Sequence, residues 1–270
     1  MKPDPFFHHA LDAHRSENPA EKVRLVNDLF AAMQGGQIEP GGDCQPDKLP
    51  VPGVPDNVEL VHPSRLARRS PHTDMGRAAL LHAIAHIEFS AINLALDALL
   101  RFREVPQEFT LDWLSVAWDE ARHFQMVERR LTELGHAYGD FPAHNGLWSM
   151  AELTRHDPLA RMAVVPRVLE ARGLDVNPGM RELLSQAGDE ASARILDVIL
   201  EEEIRHVAIG NRWYHYFCET RGFDPLETFR NMIKQYCQGS LRGPFNHAAR
   251  KAAGFTDEEL AMLEAGLDTK

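Results

Sequence analysis

Four glutamates and two histidines stand at matched spacing in this chain: Glu88, then Glu120-Ala121-Arg122-His123, and again Glu170, then Glu203-Ile204-Arg205-His206. Residues three apart on an α-helix share a face, with Cβ atoms ~5–6 Å apart, so Glu120 with His123 can reach one cation and Glu203 with His206 another. The lone glutamates lie 32 and 33 residues upstream of their pairs. That interval lets a chain climb one helix, turn and return to the same height, so each half reads as a helical hairpin with its ligands level. Burial disfavours an ionised carboxylate, and four converging in one core require positive charge. Two metal ions supply it, and oxygen ligands with one imidazole per metal suit iron first, manganese second, better than zinc.

The neighbours of these residues extend the pattern. The motifs read Asp119-Glu120-Ala-Arg122-His123 and Glu202-Glu203-Ile-Arg205-His206, acid-Glu-x-Arg-His twice. A metal-bound histidine usually donates its other ring N–H to a carboxylate. One Glu from each of two helices plus a Glu-x-x-His from each of the other two is the ligand set of ferritin-like di-iron and di-manganese proteins, and the chain resembles that superfamily. Its motifs are similar to those of the hydroxylase subunits of bacterial multicomponent monooxygenases. That resemblance implies that Asp119 binds His206, that Glu202 binds His123, and that Arg122 and Arg205 pair with those acids. The second motif departs by opening with Glu instead of Asp, a reach longer by one methylene. The stretches LLHAIAHIE, DEARHF, PRVLEARGLD and EEEIRHVAIG resemble an uncharacterised bacterial family of ferritin-like proteins over most of residues 70–250. The likeness implies the fold and the metal site, with no reaction attached.

The expected fold is all-α: a ferritin-like four-helix bundle of two antiparallel hairpins and one long crossover, over residues 71–217. An N-terminal helix and extended arm (1–70) and a C-terminal helical extension (218–270) pack on it in a single compact whole. Apolar periodicity predicts a helix over 19–34, ended by Gly35-Gly36, and the Pro- and Gly-rich 40–63 predicts an extended arm. Ser70-Pro71 reads as a helix start. The bundle helices fall at about 72–102, 107–135, 159–187 and 190–217, with 136–158 as the crossover and shorter helices at about 225–238 and 256–265. Gly173 to Gly179, with Pro178 between them, predicts an unwound turn in the third helix just after Glu170. That gap is a candidate substrate entrance, and Glu182 is the alternative ligand if the register differs.

Simpler roles fit several other residues. A helical wheel turns His82 and His86 away from Glu88, toward packing contacts. Glu201 belongs on a solvated face, His8 and His9 in an unstructured or surface terminus, and Trp213 and Tyr214 in the core. Cys44, Cys218 and Cys237, an odd number without a C-x-x-C, read as ordinary thiols.

At 270 residues and a formal charge of −11, the chain lacks the broad basic surface that nucleic acid or an anionic membrane attracts; Arg65, Arg68 and Arg69 form only a small patch. No run of 18 apolar residues and no secretory layout at the start point to a cytoplasmic protein that is off the membrane. The leading functional expectation is a di-iron oxidoreductase using dioxygen or peroxide, an unidentified electron donor and a small-molecule substrate, as a monomer or homodimer. Its rivals are a ferroxidase or iron-handling protein, a hydroxylase of a modified transfer-RNA nucleoside, and a metal-binding protein without catalysis.

Overall fold

The computed structural model describes residues 5–40, 49–67, 69–237, 241 and 243–266; Cys44 and Arg68 lie outside them. Regular structure among the described residues is helical, apart from one isolated parallel bridge between Leu60 and Ala143. The chain divides into two compact units, Met1–Gly146 and Leu147–Lys270.

The first unit holds α1 (Pro5–Arg15), α2 (Pro19–Gln34), α3 (Asp74–Arg101) and α4 (Gln107–Glu133). Helix α1 forms where no helix was expected, because Phe6, Phe7, Ala10 and Leu11 give it a buried apolar stripe, while His8 and His9 face solvent. Lys22 is fully buried and donates from Nζ to Ala13 O (2.8 Å) and His14 O (2.9 Å), satisfying the last carbonyls of α1. Helix α3 starts at Thr73 and not at Ser70: the Thr73 hydroxyl oxygen accepts from Gly76 N (3.1 Å), and Ser70 O belongs to the preceding turn, accepting from Thr73 N (3.1 Å). The short link 102–106 returns the chain so that α3 and α4 pack along one another.

Helix α3 is long and apolar enough by composition to cross a membrane, yet 72% of its most apolar window is buried inside the fold. His82, His86, Glu88, Asn93 and Asp97 are all buried along it, which marks a core helix. The described part of the arm, broken by a turn at Asp56–Asn57 and a short 3-10 segment at Pro63–Arg65, ties distant pieces together. Gly53 N donates to His14 O (2.9 Å), Asn57 Nδ2 to Tyr138 O (3.1 Å), and Val61 N to Ala143 O (2.8 Å). Gly53 has to be glycine, since a Cβ there would lie 2.2 Å from Arg15 O.

The second unit begins with α5 (Gly146–Leu153), a helix inside the stretch expected to be plain crossover, which starts at the last residue of the first unit. Helix α6 (Pro158–Val164), a π-helical segment (Val165–Glu170) and α7 (Ala171–Gln186) then run on without interruption. Helix α8 (Glu190–Arg221) packs along α6 and α7, and α9 (Pro225–Tyr236), α10 (His247–Ala252) and α11 (Asp257–Ala265) complete the unit.

The expected unwinding at Gly173–Gly179 does not occur. Pro178 cannot donate to the carbonyl four residues back, Leu174 O. Asn246 Nδ2 takes that place at 3.1 Å, so the helix loses no satisfied carbonyl. The irregularity sits upstream instead, where Ala171 N donates to Pro166 O in an i→i+5 bond, the π geometry. Pro166 lacks its own donor and crowds the carbonyl behind it, and the wider turn relieves both. Across from it, Gly210 of α8 leaves room for the proline ring, since a Cβ at 210 would lie 2.2 Å from Pro166 Cβ. The substrate entrance expected at an unwound 173–179 therefore has no basis.

Gly210→Ala should force α8 and the π segment apart and destabilise the chain by about 1–3 kcal/mol, as overpacking does. Thermal unfolding followed by circular dichroism would show a midpoint several degrees lower, roughly 2–4 °C per kcal/mol. An unchanged midpoint would mean that this close approach carries no cost.

Candidate metal centre

In the first unit, α3 contributes Glu88 and α4 contributes Glu120 and His123. They are 4%, 0% and 0% exposed, among buried Ile84, Ala85, Ile92, Val116 and Ala117. His123 Nδ1 lies 3.4 Å from Glu88 Oε2 and 3.4 Å from Glu120 Oε2. Each of the three offers one ligating atom, and these atoms lie within 4.8 Å of one another. Burial, followed by repulsion from Glu120, pushes the Glu88 carboxyl well above the ordinary carboxylate range, and contact with His123 only partly offsets this. Two carboxylate oxygens and one imidazole nitrogen, converging in apolar surroundings, form a donor set suited to a hard or borderline divalent cation. This group can hold a metal ion.

Beside it, the buried Asp119 accepts from Arg122 Nη2 at 2.9 Å, three residues along the same helix. The Arg122 guanidinium also lies over the Trp118 ring, 5.2 Å from its centroid.

In the second unit, α8 places Glu203 and His206 one turn apart, with His206 Nδ1 3.6 Å from Glu203 Oε1. His206 is fully buried and the Glu203 side chain is 12% exposed. Both motifs thus turn the same ring nitrogen, Nδ1, toward the glutamate of their own pair. Glu202 is half-buried and Arg205 exposed. Glu170 ends the π segment, half-buried with its Oε2 atom enclosed, and is not drawn into a tight three-residue group with Glu203 and His206. Glu182 faces solvent, accepting from Gln186 Nε2 at 2.8 Å, which removes it as an alternative ligand. Glu201 is exposed.

His82 and His86 hold a loop. His86 Nδ1 meets Tyr138 Oη at 2.8 Å and His86 Nε2 meets His144 O at 3.1 Å, while His82 Nε2 accepts from Gly139 N at 2.9 Å. Trp213 and Tyr214 are buried, and Tyr214 Oη donates to Pro225 O at 2.6 Å, a core role. Sequence reasoning passed over Pro166, which shapes the helix leading to Glu170; a proline inside a helical run was the available signal.

Fold and site define an all-helical protein with a buried carboxylate–imidazole group able to hold a metal ion. The chain belongs to the family described as "Protein of unknown function (DUF455)", which matches residues 15–261. It is similar to an "Uncharacterized protein" of Haemophilus influenzae, 46% identical over 269 residues that cover 96% of this chain and 93% of the relative. No solved structure matches.

Burial lowers the pKa of His82 and of His86 to about 4, from 6.5. The unfolded chain then binds more protons than the folded one between those values, so these groups lower stability as pH falls from about 6.5 to 4 and add no further slope below that. Urea unfolding across that range should show His86→Gln losing stability less steeply with acid than the wild type. Equal slopes would rule out His86 as a contributor.

Proposed function

We propose that this chain is a dinuclear-metal oxidoreductase on a ferritin-like four-helix bundle. It uses dioxygen or peroxide to oxidise a small organic substrate, with iron the first choice of metal and manganese the second. Glu88, Glu120 and His123 hold one ion; Glu170, Glu203 and His206 hold the other. The observation that carries the reading is the buried group of Glu88, Glu120 and His123, with His123 Nδ1 equidistant at 3.4 Å from both carboxylates. The repeat of that Nδ1 orientation in His206 and Glu203 supports a second ion.

The bound metals supply the redox and Lewis-acid chemistry. The four glutamates balance the charge of two divalent ions, so neither partner is left uncompensated in an apolar interior. Asp119 and Glu202 accept the Nε2–H of the two histidines, which fixes the tautomer and leaves Nδ1 to face the metal. Arg122 donates to Asp119 at 2.9 Å and holds that acid in place. Apolar walls from α3 and α4, Ile84, Ile92, Val116 and Ala117 among them, limit water around the first ion.

The purified chain should carry two iron or manganese ions by elemental analysis. After peroxide treatment the iron form should show the charge-transfer absorption of a bridged ferric pair. Glu120→Ala and Glu203→Ala should each lose metal, by about 10-fold or more in affinity. Full retention in either variant would sink the ligand assignment. Growth of a mineral core with added ferrous iron would favour iron handling over substrate oxidation.

A further inference from the structure

Glu170 sits where the π segment passes into α7, the irregular point of the third helix, and two buried ion pairs bracket it. Three residues before it, Arg167 is fully buried and pairs with Glu259 of α11, itself 2% exposed. The Arg167 guanidinium lies 4.1 Å from the ring centroids of Tyr214 and of Phe229, and 4.8 Å from that of Phe255. Its Nε and Nη1 have no hydrogen-bond acceptor among the described residues, so aromatic faces enclose the rest of the cation. Glu259 is held in turn, because its Oε2 accepts from Thr256 N at 3.0 Å in the capping box that starts α11.

Five residues after Glu170, Asp175 accepts from Arg250 Nη2 (2.7 Å), Arg250 Nε (2.9 Å) and Asn246 N (2.9 Å). Arg250 Nη2 also reaches Ala171 O at 3.3 Å, the carbonyl next to Glu170, and Asn246 Nδ2 supplies the bond that Pro178 denies Leu174 O. The C-terminal segment thus grips the third helix on both sides of one glutamate.

Stability alone does not call for this arrangement. A buried Arg–Glu pair is often matched or bettered by apolar side chains of the same volume, and what it adds is a single permitted geometry. A π turn inserts one residue into the α repeat and so rotates the downstream residues by roughly 100° about the axis. Such a turn keeps its register only if something outside the helix holds it.

We propose that Arg167 with Glu259, assisted by Arg250 with Asp175, are positioning residues that lock the π register and thereby aim the Glu170 carboxylate. The C-terminal helices α10 and α11 are then a brace for one metal ligand. This rests on the reading of Glu170 as a ligand.

The test is calorimetric titration of full-length, metal-free protein with manganese(II), alongside amide hydrogen exchange without metal. In wild type two ions bind. In Glu259→Gln, a change of almost no volume, affinity for one ion should fall by about 10–100-fold, the range seen when an outer partner of a ligand is lost, with the other ion unaffected. Arg167→Met should do the same or more, and amides of residues 165–172 should exchange faster in both variants. Loss confined to one ion separates positioning from general destabilisation, which would weaken both. Wild-type affinity for both ions in folded Glu259→Gln, or equal weakening of both, would overturn the brace. A wild-type chain that takes up only one ion would refute the dinuclear reading instead. The brace would still fall if exchange at 165–172 were unchanged in Glu259→Gln.

Discussion

Burying two carboxylates and an imidazole within one apolar hairpin is the constraint on which the first unit is built. Glu88 and Glu120 face each other across the interface of α3 and α4, with His123 between them and aliphatic side chains around. An isolated carboxylate in such a place neutralises before it stays charged, and the raised pKa of Glu88 expresses that tension. The hairpin tolerates the arrangement because the rest of its core is ordinary: Phe89, Phe109, Trp113, Phe124 and Leu131 are all essentially buried. Other polar groups on α3 find partners, His86 in Tyr138 and His144 O, and Asp97 in Arg101 at 2.6 Å, while His82 Nδ1 and Asn93 Oδ1 are buried without a hydrogen bond among the described residues. A cation held by Glu88, Glu120 and His123 would relieve the charge burden of this group.

The second unit solves a different problem, holding an irregular helix in one register. Pro166 and Pro178 both remove backbone donors from the third helix, and each is answered differently. At Pro178 a side chain from far along the chain, Asn246, replaces the missing bond. At Pro166 the helix widens into a π turn and Gly210 of α8 yields the space. Ion pairs of Arg167 and Arg250 tie both places to the C-terminal helices α11 and α10.

What could be read from the sequence was whatever local physics determines. The Glu-x-x-His pairs required only the 3.6-residue repeat, and the span of α2 came from apolar periodicity and Gly35-Gly36. The close matches of α4 and α8 to the expected ranges have the same origin. What escaped depends on partners distant in sequence. Gly173 to Gly179 carries every local mark of a break, and the helix survives because Asn246 and Arg250 support it from more than seventy residues away. The π turn depends on a glycine forty-four positions downstream, and α1 on apolar packing too brief to stand out in fifteen residues. Ser70-Pro71 lost to Thr73 as the start of α3 because two cap-like residues three apart compete, and Ser70 O is used to build the turn before the helix. The boundary between the two compact units falls between Gly146 and Leu147, after the first hairpin.

The central claim is that the buried carboxylates are there to be neutralised by metal, so the direct measurement is urea unfolding at neutral pH with and without ferrous or manganous ion. If a cation binds the folded group and not the unfolded chain, stability should rise by roughly 2.7 kcal/mol at a hundredfold excess over the dissociation constant. That gain should vanish in Glu88→Gln and Glu120→Gln. An unfolding curve indifferent to both metals, or a gain that persists in the two variants, would contradict the account.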